Sequence, residues 1–347
     1  MAWEDHRHGS PDIYAQRINP AGIVQWVSHG SRSNQPLFDD QASVIASDGA
    51  GGAIVAWQSY RGLFSDIVAR AVSVGGAVQW AADGVVLCAA AGSQLAPAIA
   101  PDNTGGAVVA WIDSRGGKND DIYAQRVTGA GSPLWTVDGV VVCDAGDNQD
   151  DPVIAATGSG SVVVSWIDRR NGTDNDIYAQ RLDTNGAESW APNGIPVSAS
   201  TGNQFHPAIA GFAGGAIVAW HDRRSSNDYD VSRPARGRRG QRRVDRGGAL
   251  VSGVAADQLE PVPVIDGSGG AIVAWIDPAQ RRPRRLRGTH RQRWRGRHAD
   301  RARQRRRRPV AGAPGAALGR RPQCHRSSSR RERRVGASRR RRHPGPT

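Results

Sequence analysis

Four Asp and Arg pairs of identical spacing stand out as candidates for chemistry: Asp5/Arg7, Asp113/Arg115, Asp168/Arg170 and Asp222/Arg224, each completing the phrase Trp-x-Asp-x-Arg. A carboxylate and a guanidinium repeated along one face could grip a polyanion or a sugar. Repetition argues for a plainer role. A charged pair found in copy after copy usually satisfies backbone groups and its own partner, so the expectation is a structural brace between loops. Catalysis needs one copy to differ from the others, and little such difference is read.

Other candidates have weaker spacing. Asp144, Asp147, Asp150 and Asp151 offer the oxygens that Ca²⁺ takes, but not the fixed order of a calcium loop, so a solvated turn is expected and no cofactor. His6, His8, His206 and His221 form neither H-x-x-x-H nor H-E-x-x-H, and no zinc site is expected. Cys88 and Cys143 hold one repeat position that Ser198 and Ser252 take elsewhere; with Cys324 far off near the end, small buried side chains and no disulfide are expected. No G-x-S-x-G, P-loop or paired-carboxylate signature is read in the repeats.

The elements that must position these residues are repeats. Trp3, Trp57, Trp111, Trp166, Trp220 and Trp275 recur every 54 or 55 residues, and all but the first end a version of Gly-Gly-Ala-Ile-Val-Ala-Trp. After Trp-x-Asp-x-Arg comes a polar loop and then Asp-Ile-Tyr-Ala-Gln-Arg, as at Asp121 to Arg126 and Asp176 to Arg181. A second Trp set (Trp26, Trp80, Trp135, Trp190), an apolar run and a Pro-containing run follow. Each copy thus holds four short runs rich in β-branched residues and bounded by Gly, Asn, Asp and Ser, with no sustained helical period. The expected fold is all-β, a β-propeller of four-stranded blades of about 55 residues, incomplete at both ends.

The phrase W-x-D-x-R followed by D-I-Y-A-Q-R and D-x-x-G-x-x-x-W resembles the blades of secreted bacterial propeller proteins of undetermined activity and, more distantly, TolB-type blades. The resemblance covers about residues 1–231 and 248–277. It implies a propeller and an extracellular or cell-surface location, although no signal peptide or membrane-spanning run is read in the chain. In that pattern Trp57, Trp111, Trp166, Trp220 and Trp275, with the Asp113/Arg115, Asp168/Arg170 and Asp222/Arg224 pairs, are structural repeat positions. The expected function is a non-enzymatic binding or surface scaffold for an unknown protein or carbohydrate. The alternative is a sialidase-like, carbohydrate-active propeller hydrolase, since Asp183 to Trp190 is distantly similar to an Asp-box.

Charge divides the chain. Residues 1–230 carry 13 Lys and Arg against 25 Asp and Glu, a net −12, whereas residues 231–347 carry 33 against 7, a net +26. Such a basic half suggests nonspecific nucleic-acid binding through an Arg-rich tail, a second alternative. Another account fits the spacing better. From Asp121 to Gly139, Asp176 to Gly194 and Asp230 to Gly248 the separation is 18 residues, yet the last interval has lost the blade words. One base inserted into codons for Val-Tyr-Ala-Gln-Arg yields Val231-Ser232-Arg233-Pro234-Ala235-Arg236, so residues 232–247 read as frame-shifted within a blade. The expected organisation is therefore propeller repeats over 1–280 and a disordered or out-of-frame tail over 281–347, with no specific nucleic-acid partner. A single Lys among 46 basic residues accords with GC-biased codons.

Overall fold

The repeated Ala-Ile-Val-Ala-Trp run is apolar at successive positions, so both faces of the strand it forms need cover, as in a sheet packed on two sides. That is how the chain folds in the computed structural model. It describes residues 1–278 except 8, 34–37, 159, 225–228, 234–248 and 253–256. These residues belong to one unit, Met1–Arg284. The expected frame-shifted segment, apart from Ser232 and Arg233, and the Arg-rich tail lie outside the described residues.

The chain is all-β, a propeller of antiparallel sheets laid down in sequence order. The first sheet has β1 (Ala2–Asp5), β2 (Asp12–Ala15) and β3 (Ser31–Arg32). The second has β4 (Asp39–Ser47), β5 (Ala53–Tyr60), β6 (Asp66–Val72) and β7 (Val85–Cys88). The third has β8 (Gln94–Pro101), β9 (Ala107–Asp113), β10 (Asp121–Val127) and β11 (Val140–Cys143). The fourth has β12 (Gln149–Ala156), β13 (Val162–Asp168), β14 (Asp176–Leu182) and β15 (Ile195–Ser198). The fifth has β16 (Gln204–Phe212), β17 (Gly215–Asp222), β18 (Asp230–Arg233) and β19 (Ala249–Ser252), and the sixth β20 (Leu259–Ile265) and β21 (Ala271–Ile276).

Tight hairpins connect the first two strands of a blade. In the third blade Asp102 Oδ1 accepts the backbone N–H groups of Thr104 and Gly106, both at 2.8 Å. A side chain at Gly106 would meet the Val127 carbonyl oxygen at 2.2 Å, which explains the second Gly of the repeat phrase. The Trp strand then pairs with the Asp-Ile-Tyr strand over its whole length, with Trp111 opposite Tyr123 and Trp166 opposite Tyr178.

The core lies between blades rather than within them. Four apolar clusters occupy the successive interfaces, and each takes the Trp of the later blade: Trp57, Trp111, Trp166 and Trp220, all fully buried. Trp275 differs, being 38% exposed. All seven residues of β9 and of β13 are buried.

The first strands β4, β8, β12, β16 and β20 pack one against the next. Each carries a bulge at the same place, where the ladder skips two residues. The first skipped residue has a left-handed backbone in each of these five strands: Ala42, Ala96, Asp151, His206 and Glu260, with φ between +47° and +53°. In four blades the next residue is Pro (Pro97, Pro152, Pro207, Pro261), whose missing N–H is harmless where the ladder is already open. Because the same strained turn holds four different side chains over five positions, it belongs to the fold and leaves that side chain free to vary. No helix among the described residues is long and apolar enough to cross a membrane.

Candidate functional site

The Asp and Arg pairs are spent inside the blades. Trp111 Nε1 donates to Asp113 Oδ2 at 2.8 Å, and Arg115 Nε donates to Asp113 Oδ1 at 2.8 Å. The same guanidinium reaches the Asp138 carbonyl at 2.7 Å and Cys88 Sγ of the preceding blade at 3.2 Å, and lies 3.7 Å from the Tyr123 ring centroid. Asp168 and Arg170 repeat this with Trp166, Asn193, Cys143 and Tyr178. Asp222 accepts from Trp220 at 3.2 Å and pairs with Arg224. Asp5 pairs with Arg7, which holds its carboxyl well below the usual range. With both charges engaged and Asp113, Asp168 and Asp222 buried, these pairs offer no common ligand face. In the second blade Ser59 stands where the Asp would be, and Trp57 Nε1 is buried with no hydrogen-bond partner.

The other sequence candidates disperse. Asp144 N–H donates to Asn193, Asp150 pairs with Arg169 at 3.4 Å, and Asp151 pairs instead with His206. Among the described residues no group of three His, Cys, Asp or Glu is placed to hold a metal. Cys88 and Cys143 are free and buried, and burial pushes each thiol up to about 12, which leaves them unreactive. His6 accepts through its carbonyl in the turn after β1, and His8 lies outside the described residues.

The Asp183 to Trp190 turn is a latch. Asp183 Oδ1 caps the turn by accepting from the N–H groups of Asn185 and Ala187 at 2.8 and 2.9 Å. Gly186, at φ +83°, receives the Trp135 ring of the preceding blade, whose Nε1 donates to Thr184 at 3.1 Å. Trp26 and Trp80 clasp Val74 and Gly129 of their own next blades in the same way.

One place breaks the uniformity. A cavity of about 620 Å³ opens where the fourth, fifth and sixth blades meet, lined chiefly by Asp151, Phe205, His206, His221, Tyr229 and Glu260. Three of these are bulge side chains of adjacent first strands, at positions where the second and third blades carry Ala42 and Ala96. His221 follows Trp220 where Ile112 and Ile167 follow theirs, and Tyr229 precedes the third strand where Asp120 and Asn175 stand elsewhere. The hairpin register sets Phe205 opposite His221, and this brings His206 and His221, 15 residues apart, to 5.2 Å between ring centroids.

The contacts around the cavity are dense. His206 Nδ1 is 3.3 Å from Asp151 Oδ2. Phe205 and Tyr229 meet edge to face at 6.1 Å, and His221 meets Tyr229 at 6.1 Å. The Glu260 backbone N–H donates to His221 Nε2. Burial first, and then His206, lower the His221 pKa to about 4, so it is a neutral acceptor at pH 7. Burial pushes the Asp151 carboxyl above its usual range, with His206 opposing. His206 and Asp151 remain substantially exposed, which screens that coupling.

No protein-family model and no curated protein matches the chain. Solved structures do. An α-L-arabinanase of Penicillium chrysogenum is 13% identical, covering 70% of this chain and 77% of its own, at a TM-score of 0.43. An endo-arabinase of Bacteroides thetaiotaomicron is 14% identical over 69% and 90%, TM-score 0.38, and a Hadza microbial sialidase 11% identical over 77% and 60%, TM-score 0.40. At these identities the likeness is one of fold. The expectation of a non-enzymatic scaffold is nonetheless corrected, because the uniformity between blades on which it rested fails at the fifth blade. The signal was present in the repeat columns holding Asp151, His206 and Glu260 and holding His221. Metal-type spacings along the chain do not reveal it, because the fold juxtaposes equivalent positions of neighbouring blades.

Proposed function

We propose that this chain is a carbohydrate-active hydrolase that cleaves glycosidic bonds at the cavity between the fourth and sixth blades. One observation carries the reading: in an array of near-repeating blades, two carboxylates, two imidazoles and two aromatic rings gather at one spot. Glycoside hydrolysis needs a carboxylic acid to protonate the leaving oxygen and a second carboxylate as base or nucleophile. Asp151, raised by burial, is the acid in this reading, and Glu260 is its counterpart. His206 orients the acid, neutral His221 anchors the Glu260 backbone, and Phe205 with Tyr229 packs on the apolar face of a sugar ring. Export to the cell exterior, carried by the resemblance of the blades to secreted repeats, belongs to the same proposal.

The test is release of 4-nitrophenol from a panel of 4-nitrophenyl glycosides by the full chain. Glu260→Gln and Asp151→Asn should each lower kcat by about 100-fold or more, the scale of acid and base contributions, without moving the thermal transition. Turnover that survives both changes, or no turnover on any glycoside, sinks the proposal.

A further inference from the structure

Resting on that assignment, we infer that the cavity takes a neutral, hydroxyl-bearing sugar and rejects one that carries a carboxylate, so that its substrate class is a neutral glycan rather than a sialoside or a uronate. Charge around the cavity is the ground. Asp151 and Glu260 both line it, and no Lys or Arg does among the described residues. Recognition of a sugar carboxylate calls for N–H donors of positive charge, above all the forked guanidinium of Arg. Among the described residues the arginines of the neighbouring segments have other partners. Arg169 pairs with Asp150, Arg224 pairs with Asp222, and Arg223 lies over the Tyr229 ring at 5.3 Å, outside the lining.

The imidazoles do not replace that missing charge. His221 is neutral at pH 7, and its Nε2 is occupied by the Glu260 N–H. His206 directs Nδ1 to Asp151, so that donor is already engaged. A sugar carboxylate entering here would meet the Glu260 carboxylate with no lining cation among the described residues to answer it, a repulsion that solvent screens only in part. A neutral sugar suits the same groups. Each hydroxyl can donate to a carboxylate, and the apolar ring face can lie on Phe205 or Tyr229.

The experiment measures turnover and binding by the full chain at pH 7 and low salt. The probes are 4-nitrophenyl glycosides of neutral pentoses and hexoses, 4-nitrophenyl glucuronide, and the 4-methylumbelliferyl glycoside of sialic acid. Neutral glycosides should be preferred in kcat/KM by at least about ten-fold over both anionic probes. A binding readout separates recognition from chemistry: the double variant Asp151→Asn with Glu260→Gln should tighten glucuronide relative to neutral sugar by about ten-fold, and an unchanged melting transition should show that it folds. Equal or better turnover of the anionic probes overturns this inference while leaving the hydrolase reading standing. So does a glucuronide affinity that collapses in Arg223→Ala. Absence of turnover and binding for every probe overturns the hydrolase reading, and the inference with it.

Discussion

The pentapeptide Ala-Ile-Val-Ala-Trp occurs three times with identical spelling, at Ala53 to Trp57 in β5, at Ala216 to Trp220 in β17 and at Ala271 to Trp275 in β21, and the first and last copies differ most. In β5 every one of these residues is buried, with Ile54 at 1% and Trp57 at 0% exposure. In β21 Ile272 is 67% exposed and Trp275 38%. The two strands sit alike in their sheets, each paired with a bulged first strand. They differ in neighbours. Ile54 packs into the cluster shared with the third blade and Trp57 into the one shared with the first, whereas no strand follows β21 among the described residues. Burial is therefore a property of the array, and the apolar word only qualifies a strand for it.

The largest effect expected from this comparison comes from truncation. Trp57→Ala should cost about 3–5 kcal/mol and Ile54→Ala about 2–5 kcal/mol, the range for large side chains removed from packed cores. Ile272→Ala should cost less than about 1 kcal/mol, because its side chain has little buried area to lose. Urea unfolding of the three variants checks this. Equal losses at Ile54 and Ile272 would break the comparison by showing that both strands are covered in solution.

A smaller effect sharpens it in the opposite direction. The second blade buries Trp57 Nε1 unpartnered because Ser59 replaces the Asp of the brace, while Arg61 keeps the Arg position and contacts Ser59 at 3.3 Å. Ser59→Asp should complete the Trp, Asp and Arg brace seen around Asp113 and raise stability by about 1 kcal/mol, the gain from satisfying a buried donor. A loss of stability would mean that the second blade is shaped around Ser59.

The smallest effect is one of pH, and it belongs to the interior blades. Burial, followed by neighbouring carboxylates, raises Asp121 and Asp176 from 3.8 to about 6. Between those values the folded chain holds protons that the unfolded chain has released, so stability from these groups is full below the unfolded pKa and is lost as pH rises through the folded one. Asp121→Asn should accordingly be more favourable, relative to the unsubstituted chain, at pH 7 than at pH 4. Urea midpoints at the two pH values measure it, and a reversed difference would show that Asp121 is held as a stabilised anion.

The repeat words alone determined the architecture. The period of the Trp residues, the paired Gly before each apolar run and the absence of helical periodicity specify four-stranded blades, because strand pattern and hairpin turns are local properties of the chain. The braces were half visible: Asp113 and Arg115 could be paired from their spacing, but the Cys88 sulfur and the Asp138 carbonyl that complete the cluster come from segments set by packing. The candidate site was least visible. Asp151, His206 and Glu260 are separated by a whole blade each, and only the stacking of bulged first strands carries them to one cavity. His221 joins them because the hairpin register sets it opposite Phe205, and Tyr229, just before β18, because its ring meets that of His221. Tertiary structure decided that convergence, since proximity between blades depends on how blades pack, whereas the type of each blade depends on the order of residues within it.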